Sequence, residues 1–141
     1  EHAIFITVHY DLCMAETLAV EANNRCDSAK KHAQLLIELV DTPLGCPVRY
    51  AAWLMLCRSL AVRLDFDMRI LPPPLLQTTI NTFTDCIHET ARHILKIDGL
   101  TDSMLLQAQL PGNFGGMHLT SPLIKLQVAH LASTAASWKP T

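Results

Sequence analysis

Apolar residues recur every three or four positions through most of this 141-residue chain. That spacing places them on one face of an α-helix, whereas strict alternation would predict a strand. The clearest case is the segment 75–97, with apolar positions at Leu76, Ile80, Phe83, Ile87, Ala91, Ile94 and Leu95. The sequence therefore predicts an all-α fold, in which each helix buries its apolar face against the others.

Prolines and a glycine set the predicted boundaries of the two central helices. A third helix begins near Pro47 and continues to about Ile70. It ends before the three consecutive prolines at 72–74, because each proline disfavours helical backbone in the residue before it. A fourth helix follows over residues 75–97, and Gly99 is expected to cap its C-terminus.

The N-terminal 40 residues predict two helices separated by a break. Asn23 and Asn24 are poor helix formers and Asp27 is a favourable N-cap, so we expect the break there. Residues 3–8 are mostly apolar, β-branched or aromatic, and they predict either a single short strand or the lead-in to the first helix.

The C-terminal third predicts two further helices around a glycine-rich turn. Thr101 begins a short helix, and Ser121 caps the last one. Residues 110–119 hold three of the five glycines, and we expect left-handed backbone at Gly115 or Gly116. The sequence thus predicts one domain over residues 1–141, a bundle of five or six helices. We expect its core to include these residues: Leu54, Leu60, Phe83, Ile87 and Leu126.

Composition narrows the class of protein. Half of the residues are hydrophobic and 17% are charged, which is typical of a folded domain and not of a disordered tail. The net charge of −2 opposes a protein that wraps nucleic acid phosphates. The longest apolar run is closed by Arg49 and Arg58, so no segment predicts a membrane span. The chain opens on Glu1, and we expect a processed product or a piece of a longer polypeptide.

The cysteines predict an intracellular, reducing compartment. They are odd in number and fall within apolar helical segments, which favours buried thiols over disulfides. The five positions are Cys13, Cys26, Cys46, Cys57 and Cys86.

No catalytic, metal or cofactor site is predicted. His88 and His93 are five residues apart, about 140° around a helix, so both cannot face one ion. Glu89 and His93 are four apart and predict an ordinary surface pair. Asp65 and Asp67 resemble a paired-carboxylate site, but on a helix they point in different directions, so we expect them on a solvated face.

Four arginines fall on the third predicted helix and its ends: Arg49, Arg58, Arg63 and Arg69. Two interpretations remain open. In the first, the side chains extend from a mostly buried helix or pair with acids such as Glu38 and Asp85. In the second, they form a face that contacts phosphates.

The order of these features resembles one family. The strings AAWLMLCRSL, RLDFDMRILPP, LPGNFGGMHLTSP and AHLAS, with a long helix between the second and third, are similar to the helical region behind the palm in reverse transcriptases of the non-LTR retroelement type. The resemblance covers residues 27–138, and residues 1–26 match only loosely. His118 stands where the family's turn has a glycine.

The resemblance implies a thumb-like helical region, which in that family grips primer and template. The family's catalytic aspartates belong to the palm, and this chain has no aromatic-x-Asp-Asp motif. We therefore expect a module without catalytic chemistry or cofactor, a structural or protein-binding component of a larger assembly. The alternative is a nucleic-acid-gripping thumb of a reverse transcriptase whose palm lies upstream, with Arg49, Arg58, Arg63 and Arg69 as its contacts.

Overall fold

A computed structural model of the chain describes the backbone of residues 2–43 and 45–138, and the side chains of residues 12–43, 45 and 47–138. Its elements in chain order are α1 (His2–Val40), α2 (Cys46–Met55), a π-helical turn (Leu56–Leu60), α3 (Asp65–Ile70), α4 (Pro73–Leu95), α5 (Asp102–Gln109), a 3₁₀ turn (Gly112–Phe114) and α6 (Pro122–Ser137). The all-α prediction is confirmed, with six α-helices in the described ranges. The strand interpretation of residues 3–8 is wrong, because α1 includes them.

Helix α1 passes without a break through the two asparagines where the sequence predicted one. The hydroxyl of Thr79 on α4 donates a hydrogen bond to Asn23 Oδ1. Ala22, Cys26 and Ala29 are buried along the same stretch, and α1 packs along α4. The predicted division into two helices is wrong because tertiary packing overrides a weak local preference.

One core joins the helices. Pairs of packed elements are α1 with α4, α3 with α6, α4 with α6, and α2 with both α1 and α4. Among the residues expected in the core, Leu60, Phe83, Ile87 and Leu126 are buried. Leu54 is only half-buried, because the buried residues of α2 are Ala52 and Trp53 instead.

The third predicted helix is divided into three parts. The N–H of Ala61 donates to the carbonyl of Leu56 at 2.9 Å, five residues back, which defines the π-helical turn. Tight turns follow, in which Arg63 N–H bonds to Leu60 and Asp65 N–H bonds to Val62. The prediction of a single regular helix to Ile70 is therefore wrong.

The two aspartates of α3 are not on a solvated face, which corrects that expectation. Asp67 is 2% exposed, and Arg25 of α1 bonds both of its carboxylate oxygens, with Nε 3.0 Å from Oδ2. Lys125 of α6 lies 2.7 Å and 2.9 Å from the two carboxylate oxygens of Asp65. These two ion pairs fix the short helix α3 between α1 and α6.

Helix ends agree with the sequence in most places. Helix α4 begins at Pro73, since prolines suit a first helical turn. It ends at Leu95 with left-handed backbone at Lys96, φ 51°, so the prediction of Gly99 as the cap is wrong. Thr101 caps α5 by accepting from the Met104 N–H at 3.4 Å. Ser121 occupies the N-cap position of α6 as predicted, but its side chain makes no capping hydrogen bond.

We predict that Arg25→Met destabilises the protein far more than Lys125→Met. The first change leaves the buried Asp67 carboxylate without its partner and should lower the free energy of unfolding by about 3 kcal/mol. The second leaves Asp65, whose side chain is 28% exposed, in contact with water and should cost about 1 kcal/mol or less. Urea unfolding followed by circular dichroism at pH 7 measures both, and equal losses would contradict the prediction.

Candidate functional site

The four arginines singled out in the sequence are all exposed. Within the described residues, none of them lies within 4.0 Å of a carboxylate, and neither Glu38 nor Asp85 pairs with them. Pairing of these four arginines with acids is therefore not found among the described residues. The arginines leave four cationic groups on the surface.

These arginines do not meet in one cluster. Arg49 on α2 lines a pocket beside α4, and Arg69 on α3 lines a cleft beside α6. Arg63 extends toward α1, where its Nη1 lies 2.8 Å from Nδ1 of His32. Arg58 lies between them in the π-helical turn.

The segment 46–70 is nevertheless more basic at its surface than its composition suggests. Its only acids are Asp65 and Asp67, and both are paired with cations from outside the segment, Lys125 and Arg25. The arginines are thus not balanced by neighbours within the segment, although the whole chain carries −2.

The glycine-rich turn folds back on the end of α5. Gly115 has φ 73°, which confirms the left-handed backbone expected at one of the two glycines. Gly116 is needed for space, since a Cβ there would lie 1.8 Å from the carbonyl oxygen of Leu110. His118 is also left-handed, with φ 58°, and its Nε2 accepts the Gly112 N–H at 3.1 Å.

Backbone bonds from the same turn place Met117 against α2. The N–H groups of Met117 and Leu119 both donate to the carbonyl of Ala108, at 3.1 Å and 3.0 Å. The carbonyl of Met117 in turn accepts the indole N–H of Trp53 at 3.2 Å, and the thiol of Cys57 lies 3.8 Å away. The turn is therefore attached both to α5 and to α2.

A pocket of about 370 Å³ opens where the turn, α2 and α4 meet. Its lining residues are Arg49, Tyr50, Trp53, Ile94, Leu95 and Met117. Sequence reasoning missed this site, because its walls come from three segments far apart in the chain. The only signal was an arginine and two aromatic residues within five positions of one helix.

The outer face of α6 is apolar and exposed. Ile124, Val128 and Leu131 are spaced by four and three residues, so they lie on one face, and they are 60%, 63% and 70% exposed. Trp138 follows the helix at 76% exposure. A cleft of about 520 Å³ between α6 and α3 adjoins this face and shares Val128 with it; Arg69 and Ala132 are also in its lining.

Of the two histidines on α4, His93 contacts an acid at the surface, whereas the buried Nε2 of His88 has no hydrogen-bond partner among the described residues. His93 Nε2 lies 3.0 Å from Asp41, while Glu89 pairs with Arg92 at 3.5 Å, so the predicted Glu89–His93 pair is wrong. Burial lowers the pKa of His88, and the nearby guanidinium of Arg92 lowers it further. In the part of the chain that the structure describes, no three metal-binding side chains come together.

The cysteines described by the structure are free thiols. Cys26 and Cys57 are buried, Cys86 is half-buried and Cys13 is exposed. Burial raises the pKa of Cys57 to about 11, and it also raises the pKa of Cys26 and Cys86. These three thiols are therefore poor nucleophiles near neutral pH.

Comparisons with known proteins give no relative. No protein-family model, no curated protein and no solved structure matches the chain. Among the described residues, no helix is long and apolar enough to cross a membrane. Function must therefore be argued from the surfaces above.

We predict that Gly116→Ala disrupts the turn and Gly99→Ala does not. The new methyl at 116 would overlap the Leu110 carbonyl and should lower the free energy of unfolding by about 1 to 3 kcal/mol. A Cβ at 99 meets nothing within 4 Å and should change it by less than about 0.5 kcal/mol. Urea midpoints measure both. An unchanged midpoint for Gly116→Ala would show that the turn adopts another backbone path.

Proposed function

We propose that this chain is a non-catalytic, thumb-like helical module that binds protein as a component of a larger assembly or a longer polypeptide. The observation that carries the proposal is the exposed apolar face of α6. Single exposed apolar residues are common on proteins, but aligned ones that form a continuous patch mark interaction surfaces. Ile124, Val128 and Leu131 form such a line on α6, and Trp138, just after the helix, is exposed as well.

The packing of α6 supports the same conclusion. Its first half is held by buried Leu126 and by the Lys125–Asp65 pair, whereas residues 134–137 are all exposed. Helices in proteins gain most of their stability from tertiary packing of an apolar face. A protein surface laid against the outer face of α6 would supply that packing to its second half.

The turn supports the thumb-like part of the proposal. In the resembled pattern a glycine stands at the position of His118, and here the backbone is left-handed although the residue is not glycine. Left-handed backbone is uncommon outside glycine and costs energy. A glycine-type conformation kept at a histidine is what divergence from a Gly-Gly-x-Gly turn would leave.

Photo-crosslinking tests the protein-binding proposal. Benzoylphenylalanine is placed at Leu131, or at Leu35 on α1, an exposed leucine on a different helix with a comparable exposure of 59%. In cells that express the chain, we expect a protein adduct of discrete mass from position 131 and much less from position 35. Adducts from neither position, or equal adducts from both, would contradict a role for the α6 face.

The second candidate function is a grip on nucleic acid, favoured by the four exposed arginines that lack carboxylate partners within the described ranges. Against it stand the net charge of −2 and the placement of Arg49, Arg63 and Arg69 beside three different helices. A grip on a duplex would need these separated groups to meet phosphates at the same time.

We predict that an RNA–DNA duplex binds with a Kd in the micromolar range or weaker at physiological salt. The double variant Arg58→Ala with Arg63→Ala should change the salt dependence no more than the control Lys31→Ala with Lys96→Ala, which removes two exposed lysines elsewhere. Fluorescence anisotropy across a salt series measures this. Sub-micromolar affinity with a steep slope that only the arginine variant flattens would replace our proposal with the nucleic-acid-gripping thumb.

A further inference from the structure

The described walls of the pocket between α2, α4 and the turn are mostly apolar and carry one charged side chain. Trp53 and Ile94 form its buried part, at 7% and 2% exposure, and Met117 closes one side. The indole N–H of Trp53 is already bonded to the Met117 carbonyl, so it offers no free donor. Among the lining residues that the structure describes, Arg49 alone is charged.

The rim of the pocket faces solvent. Tyr50 is 67% exposed and Met117 is 40% exposed, while Leu95 is half-buried. The volume of about 370 Å³ is near the lower end of ligand pockets, enough for one large side chain of a partner but not for a helix. The shape therefore favours an extended segment that inserts one residue.

We propose that this pocket binds a segment of a partner protein in which a large apolar side chain stands beside a carboxylate. The apolar side chain enters between Trp53, Ile94 and Met117, and the carboxylate pairs with the guanidinium of Arg49. This inference rests on the proposed protein-binding function and names the chemistry of one contact. It concerns a surface separate from the outer face of α6.

Charge and residue type both support this occupant. Within the described residues Arg49 has no carboxylate partner, and a planar guanidinium can hold a carboxylate through two parallel hydrogen bonds. Tryptophan, tyrosine and arginine are also the residues that contribute most to protein interfaces, above all when they surround a pocket. Here Trp53, Tyr50 and Arg49 occur together in one lining.

A nucleic acid strand fits the pocket less well. Its phosphates come in series and need a row of cations, whereas this lining has one arginine and its remaining walls are aliphatic or sulfur-containing except for Tyr50 and Trp53. A single carboxylate next to an apolar group matches one arginine next to an apolar pocket. The protein segment is therefore the occupant that the lining favours.

Nuclear magnetic resonance of the indole groups tests the proposal. The chain has two tryptophans, so the indole N–H signal of Trp53 reports on the pocket and that of Trp138 serves as an internal control. The probe is the capped peptide Gly-Glu-Leu-Phe-Glu-Gly. Two matched peptides replace both glutamates with glutamine, or Leu-Phe with Ser-Ser. We expect the probe to shift the Trp53 signal saturably at sub-millimolar to millimolar concentration, with the Trp138 signal unmoved.

Variants separate the charge from the pocket. Arg49→Ala and the glutamine peptide should each weaken binding about tenfold, the size expected for a charge-assisted pair next to apolar walls. The control Arg58→Ala removes an exposed arginine outside the lining and should leave the affinity unchanged. Because Arg49 is exposed, its variant should keep the unfolding midpoint of the parent chain.

Three results would overturn the inference. The first is an indole N–H signal of Trp53 that does not move at millimolar probe peptide. The second is equal affinity for the charged and the glutamine peptides. The third is a single-stranded oligouridylate that shifts the Trp53 signal at a lower concentration than the peptide does. Failure here with an intact crosslink at position 131 would remove the pocket assignment and leave the proposed function standing. Loss of the crosslink with peptide binding intact would remove the role of the α6 face and leave the pocket assignment standing.

Discussion

The ion pair between half-exposed Arg25 and buried Asp67 is the contact on which the placement of α3 depends. Helix α3 has six residues, too few to be stable without partners. Asp67 ties it to α1 through both carboxylate oxygens, and Asp65 ties it to α6 through Lys125. Since α6 packs mainly on α3 and α4, the position of its apolar outer face follows from these bonds.

A small number of contacts also determines the shape of the pocket. Trp53 and Cys57, four residues apart, both approach the carbonyl of Met117 in the glycine-rich turn. That turn is closed tightly enough that Gly116 has no room for a side chain. The pocket therefore depends on backbone bonds of the turn as much as on its lining side chains, and α4 contributes a rigid wall.

Local patterns predicted most of the fold and little of the site. Helix α4 follows from its apolar spacing, and Thr101 and Gly115 from the chemistry of caps and turns. The continuity of α1 at Asn23 and the burial of Asp67 were missed, because each depends on a partner more than forty residues away. The pocket was missed for the same reason, since no single segment contains its walls. The family resemblance stays a prediction.

The distribution of charge connects the two proposed surfaces. The chain is acidic overall, yet Arg25 and Lys125 are committed to the two acids of the segment 46–70, which leaves that segment's arginines at the surface. Because Arg49, Arg63 and Arg69 lie beside three different helices, each can meet one acidic group of a folded partner more readily than all can follow one phosphate backbone. Isolated cations beside apolar surface favour protein recognition, in which apolar contact supplies affinity and each charge supplies register.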